Sequence, residues 1–276
     1  MKKYLIISAV LSLAFVSCNK EAKTADAEPQ EIVFDLGGEF ASVVETKTTA
    51  INNVSGLGTV YCLCYDGSST VWNIALSKSG DTYYTGRYWP NSNSPGYRFY
   101  AANVEMPSVD RVNVPNFDTD ILCEYLGSPT VRSNNTLYLD HIFSRIGSLT
   151  LNTPSGYELI GSWSASVSYG CPASGCYYTI SSGSFTTTTT TSTTINSSND
   201  IWALPGSATI TVSYRLRKGA WDSDTIVKSS TVTLVQGCVN NISGTLPGPD
   251  TPPTEITFSV NVAAWSTNNI NSISFN

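Results

Sequence analysis

Charge is scarce in this chain. Only 13% of its 276 residues are Asp, Glu, Lys or Arg, and 21 acids outnumber 15 basic residues for a net charge of −6. That balance leaves no basic footprint, so nucleic-acid partners are excluded and nothing draws the fold to anionic lipid. Helical periodicity is missing too. No stretch sustains apolar residues at i, i+3 and i+4, and only "NFDTDILCEYL" has room for one or two helical turns. Histidine occurs once, at His141. A Ser-His-Asp triad would have to be built on that residue, and no GxSxG elbow accompanies it. His141 stands beside Asp140 in register with Leu137 and Leu139, which reads as a hydrogen-bonded core histidine. CxxC pairs of the zinc type are absent. "DGSS" at Asp66 and "DSD" at Asp222 lack the ligand density of a calcium loop, and the acids show no pairing suited to glycoside hydrolysis. The expectation is a protein that is not an enzyme, with no catalytic residue, no cofactor and no metal.

Ser, Thr, Asn and Gly take the places that Lys and Glu usually fill, while 41% hydrophobic residues suffice for a core. β-Branched Thr suits a half-wet pleated face, so composition favours an all-β fold. Short alternating runs recur between turn-rich breaks. "EIVFDL" places Ile32, Phe34 and Leu36 on one face, and "GTVYCLCYDGSSTVWNIAL" reads as strand, turn and strand. "TYYTGRYWPNSNSPGYRFYAANV" holds two aromatic-rich strands around a turn. "SATITVSYRLRKGAWDSDTIVKSSTVTLVQG" reads as a hairpin in which Ala208, Ile210, Val212 and Tyr214 alternate, as do Val232 and Leu234. The tract "FTTTTTTSTT" has no apolar face, which predicts an edge strand or an exposed loop. Many short strands at this spacing predict β-sandwiches. The polar stretch "SPTVRSNNT" suggests a divide, with one domain over residues 31–133 and a second over 134–276.

The first 18 residues read as an address. "MKK" is followed by an apolar run too short to span a bilayer comfortably, then by Ser17-Cys18 and the polar tether of residues 19–30. That placement of Cys18 resembles a bacterial lipobox, with Phe15 at the position where Leu is more usual. It implies lipidation (palmitate among the acyl chains) and anchoring to the outer membrane. Of the 7 cysteines, six remain for the exported part, and buried free thiols are the expected state for most, although Cys171 and Cys176 could close a small loop.

Near the C-terminus, "EITFSVNVAAW" alternates without a fault. Ile256, Phe258, Val260 and Val262 lie on one face, behind the Pro-rich "LPGPDTPPT". A terminal strand on such a hinge can return to its own sheet or be given to another molecule. Aromatic residues such as "YWP" and "YRFY" could stack on sugars, although alternation sends half of them to the core. "DTI" at Asp224 resembles a short O-glycosylation acceptor.

Taken in order, the lipobox cysteine, "VETKTTAI", "RYWPNSNSPGYRFYAANV", "DILCEYLGSPTVRSNNTLYLDHIFSRI" and "PPTEITFSVNVAAWS" resemble landmarks of the fimbrillins, the type V pilins or Mfa-like fimbrial subunits. The resemblance implies two tandem transthyretin-like β-sandwiches of Greek-key type. It also implies export as a lipoprotein, proteolytic removal of the N-terminal segment and polymerisation by strand exchange. The family is cut after arginine, whereas the matching position here is Lys47 and no arginine precedes Arg87. On this reading Ile32, Phe34 and Leu36 form the displaced strand, and Ile256, Phe258, Val260 and Val262 the donor. The expected partners are other fimbrial subunits, the outer membrane through the lipid, and a host or bacterial surface ligand. The alternative is a surface glycan-binding lipoprotein of a polysaccharide-uptake system. A carbohydrate-active enzyme stands third. A planar row of exposed rings among Trp72, Trp89, Trp163, Trp202 and Trp221 would favour glycan binding.

Overall fold

A computed structural model describes residues 30–36, 57–80, 82–90, 96–249, 258–264 and 270–272. The first ten strands are β1 (Glu31–Leu36), β2 (Tyr61–Tyr65), β3 (Thr70–Ala75), β4 (Ser77–Ser79), β5 (Thr82–Tyr88), β6 (Arg98–Ala102), β7 (Arg111–Asn113), β8 (Leu122–Leu126), β9 (Asn135–Leu137) and β10 (Asp140–His141). Then come β11 (Ser144–Asn152), β12 (Glu158–Leu159), β13 (Ser164–Pro172), β14 (Tyr177–Thr179), β15 (Ser184–Phe185), β16 (Thr188–Ile195) and β17 (Ile201–Ala203). The series ends with β18 (Gly206–Tyr214), β19 (Leu216–Lys218), β20 (Trp221–Asp222), β21 (Ile226–Leu234), β22 (Cys238–Thr245), β23 (Phe258–Ala264) and β24 (Ile270–Ser272). No α-helix occurs among the described residues, and the fold is all-β.

Two pairs of sheets each enclose a core. In the first, β4-β5-β1-β9 faces β10-β8-β6-β2-β3. Ile32, Phe34 and Tyr83 from one sheet meet Cys62, Cys64, Phe99 and Leu122 from the other. In the second, β17-β11-β22-β23-β24 faces β16-β13-β18-β21, with Ile146, Leu149, Ile242 and Phe258 against Val167, Ile210, Val212 and Val232. The β18–β21 hairpin forms as its alternation requires. Ala208 pairs with Val232 and Gly206 with Leu234, and Ala208, Ile210, Val212 and Tyr214 are all buried.

A third cluster ties the two halves together. Leu63, Tyr100 and Cys123 point away from the first core and meet Phe143, Cys176, Tyr178 and Trp202. At β2, β6 and β8 that sheet is therefore covered on both faces, which is why β6 reads as an apolar run without alternation. Part of the cover is lent by the second half, whose β14–β15 hairpin joins β7 in a small sheet, with Tyr178 opposite Val112.

Two sequence expectations change. "DILCEYL" is strand β8 and not helical, because both of its faces have partners in the cores. The divide expected at 133/134 moves downstream, since β9 pairs with β1 and β10 with β8. Residues 128–134 of "SPTVRSNNT" are a loop within the first half, closed by the start of β9: Asn135 accepts from the Thr130 amide at 2.7 Å and donates to the carbonyls of Thr130 and Ser133. The two aromatic-rich strands are β5 and β6, and they lie in different sheets: β5 pairs with β1 and β4 while β6 pairs with β2 and β8. The run through His141 holds more than one strand. It breaks into β9, β10 and β11, so Leu137 and Leu139 stay in the first core while His141 turns to Asp120, with Nδ1 at 2.9 Å from the carboxylate.

Candidate functional site

The segment with the most to offer another molecule is β1. It lies between β5, antiparallel, and β9, parallel, and its alternating pattern buries Ile32 and Phe34 completely while Leu36 is half-buried. Phe34 meets Phe99 edge to face at 5.0 Å between ring centres. Polar contacts fix its register: Thr85 Oγ1 donates to the Ile32 carbonyl at 2.7 Å, the Gly86 amide donates to Glu31 at 2.8 Å, and Thr82 donates to Asp35 at 3.0 Å. Gly86, at φ 63°, sits in the bulge where the register of β5 shifts between Glu31 and Val33. Beside the slot, Tyr83 Oη and Trp89 Nε1 are buried without a hydrogen-bond partner among the described residues. Such groups each cost about 1–3 kcal/mol.

The second element is β23, whose partner lies in its own sheet. It runs antiparallel to β22 from Gly244↔Phe258 to Cys238↔Ala264, and Phe258 and Val260 are buried in the second core. The chain leading to it is pinned where Tyr214 Oη donates to the Pro247 carbonyl at 2.9 Å. Val262 is paired with Asn240. Cys18, Lys47 and Ile256 lie outside the described residues.

Two buried polar pairs stand elsewhere. His141 holds Asp120, itself 1% exposed, and Arg145 pairs with Asp200 beneath Trp202. Among the described residues no group of three or more His, Cys, Asp or Glu could hold a metal ion. The six cysteines from Cys62 onward are free thiols. Burial pushes the Cys64 thiol up to about 12 and raises those of Cys62 and Cys123 too, so these sulfurs stay protonated and unreactive.

Glu124 in β8 is the most displaced carboxyl. Burial raises it to about 7; the Tyr138 amide that donates to it pulls the other way, and Asp140 adds to the rise. A group raised on folding stabilises the fold fully below its unfolded value, near 4.5, and loses that contribution as pH climbs through about 7. Glu124→Gln should therefore flatten the pH dependence of stability between those values, which denaturant titrations at a series of pH values will measure. An unchanged slope would show that Glu124 ionises freely.

Trp72, Trp89, Trp163, Trp202 and Trp221 do not make an exposed row. Trp89 and Trp202 are buried, Trp72 and Trp163 half-buried, and of the five considered above only Trp221, at 50%, is exposed. Tyr84, Tyr88 and Tyr138 are exposed rings as well, but they belong to the first half of the chain, whereas Trp221 begins β20 in the second. The Thr tract is an edge strand, β16. Thr225 of "DTI" is exposed.

No family model matches the chain, and no curated protein matches it. Solved structures do. A candidate cell adhesion protein from Parabacteroides distasonis ATCC 8503 is similar over 86% of this chain and 100% of its own, at 9% identity and a TM-score of 0.51. Another candidate cell adhesion protein, from Bacteroides uniformis ATCC 8492, matches at 11% identity and a TM-score of 0.45, covering 87% of this chain and 98% of that one. A third, from Bacteroides fragilis NCTC 9343, matches at 13% identity and a TM-score of 0.36 over 87% and 99%. At these identities the first likeness establishes a shared all-β fold and nothing more specific.

Proposed function

We propose that this chain is an adhesion-related protein of the cell surface: a structural or accessory subunit of fimbriae, assembled by strand exchange and exported as a lipoprotein through Cys18 to the outer membrane. The description of the Parabacteroides neighbour as a candidate adhesion protein supports the surface role. One observation carries the mechanism. β1 is a short strand seated mid-sheet, with Ile32 and Phe34 as its buried anchors and 37–56 separating it from the rest of the first sandwich. A cut at Lys47 would release it and leave unpaired edges on both β5 and β9.

The strand that refills the slot is the C-terminal segment of a sibling. Ile256, Phe258, Val260 and Val262 repeat the every-second-residue spacing of Ile32, Phe34 and Leu36. Fully burying four such side chains is worth roughly 6–12 kcal/mol gross against roughly 3–6 for the two buried anchors of β1. In the uncleaved chain β23 is held by β22 with Phe258 and Val260 already buried, so donation first breaks that pairing and gives up that burial, and the net gain is what the slot adds beyond it. The partners are sibling subunits, the membrane through the lipid, and a surface ligand. The tandem transthyretin-like topology belongs to the same proposal.

Limited proteolysis near Lys47 tests it. The cleaved protein should form ladders that survive mild denaturant, while uncleaved protein should not. A strictly monomeric digest would contradict the proposal.

A further inference from the structure

The second sandwich ends in an edge of unusual character. β16 is eight residues long, "TTTTSTTI", and pairs with β13 from Ala165↔Ile195 to Pro172↔Thr188 without a register shift. Long edges are normally guarded by charge, proline or a bulge, because their free amides and carbonyls template further pairing. β16 has none of these. By contrast β21, the other edge of the same sheet, carries Lys228. The β3 edge is interrupted by an irregularity opposite Tyr65 and held at Asn73, whose amide donates to the Met106 carbonyl at 2.8 Å. The β4 edge is three residues with Lys78 at its centre.

Two backbone bonds settle which residues face outward. The Ala173 amide donates to the Thr187 carbonyl, so the opposed pairs Cys171/Thr189 and Tyr169/Thr191 also bond across this ladder. The Gly170 carbonyl instead accepts from Leu204 on the far side, so its partner Thr190 points its amide and carbonyl away from β13. Thr188, Thr190, Ser192 and Thr194 therefore present the open backbone, and among the described residues no strand pairs with them. Their side chains are exposed as well.

We propose that this edge joins two copies of the chain through an antiparallel β16–β16 pairing centred on Thr191. The strand is complementary to its own copy. A two-fold axis at Thr191 sets Thr190 opposite Ser192 and Thr188 opposite Thr194, and all four are outward-facing, so every open amide meets an open carbonyl. The facing pairs are Thr–Thr and Thr–Ser, a combination that stabilises cross-strand contact. No charged residue lies anywhere in the strand to repel its own image, although each molecule carries a net charge of −6. The product is one continuous sheet of two four-stranded halves. This pairing is independent of the β1 slot: it uses another sandwich and needs no cleavage.

The test uses the uncleaved chain, in which the slot is closed. Sedimentation across a concentration series should show a reversible dimer. Thr190→Lys with Ser192→Lys should leave a monomer, since the two lysines face each other across the axis. Thr190→Lys with Ser192→Glu places opposite charges there and should restore the dimer while altering the same positions. At the axis the Thr191 pair is non-hydrogen-bonded, with Cα atoms about 4.5 Å apart, within the range a disulfide spans. Thr191→Cys should therefore give roughly tenfold more oxidised dimer than Thr189→Cys, whose mate is Thr193, with the unmutated chain as baseline for the native thiols. A wild-type chain that stays monomeric throughout, or a Thr189→Cys chain that cross-links as well as Thr191→Cys, would overturn the proposal. Ladders formed only after cleavage at Lys47 would then still stand as a separate result.

Discussion

Phe34→Ala will destabilise the first sandwich by about 3–5 kcal/mol, the range for truncating a buried phenylalanine. The ring is fully buried and contacts Phe99, which also meets Trp72 at 5.7 Å and Trp89 at 5.9 Å, so the loss falls at the centre of an aromatic cluster. Ile32→Ala removes a smaller anchor of the same strand and should cost about 2–5 kcal/mol. Val33→Ala is the control. Val33 is half-buried on the opposite face, and its truncation should stay under about 1 kcal/mol. Denaturant unfolding followed by tryptophan fluorescence will separate the three. Equal, small effects would mean that β1 is an ornament on a sheet that does not need it, and the slot would lose its energetic meaning.

Truncation before Glu255 is the second large effect, and it is expected to be all-or-none for assembly. It removes β23 and β24, leaves β22 as a new edge, and takes Phe258 and Val260 from the second core. Stability of that half falls, yet the β1 slot is untouched. Once cleaved at Lys47, the truncated chain should still accept a donor strand from a complete one and, having none to give, terminate the ladder. Mixing the two in rising proportion should shorten ladders progressively, as gel densitometry will measure. Ladders of unchanged length would show that the C-terminal strand is not the donor.

Sequence made the strands legible wherever one face was wet. β18, β21 and β1 announce themselves because every second side chain must leave water, and the sandwich class follows from their number. Two kinds of feature escaped it. Strands buried on both faces lose their alternation, which is why β8 could be taken for a helical turn and why the junction around Phe143 and Tyr178 was invisible. Non-local pairing escaped as well. Nothing near Phe34 predicts Asn135 as its parallel neighbour, and that pairing is what draws the polar "SPTVRSNNT" into the first half. The register of the Thr tract is fixed from outside it, by Val167 and Ile195 at the buried end of the β13–β16 ladder. For the site, the alternation of β1 and of the C-terminal segment could be read directly, whereas the Thr85 and Glu31 contacts that seat β1 needed the fold.

The central claim is that the first sandwich has a place for one strand that a sibling can fill. A synthetic peptide spanning Thr254–Trp265 tests it most directly, added to chain cleaved at Lys47 and stripped of its N-terminal segment. The account predicts one peptide bound per chain, amide protection appearing along β5 and β9, and ladder growth halted. A cleaved chain that leaves the peptide in solution and its β5 amides exchanging as before would contradict it.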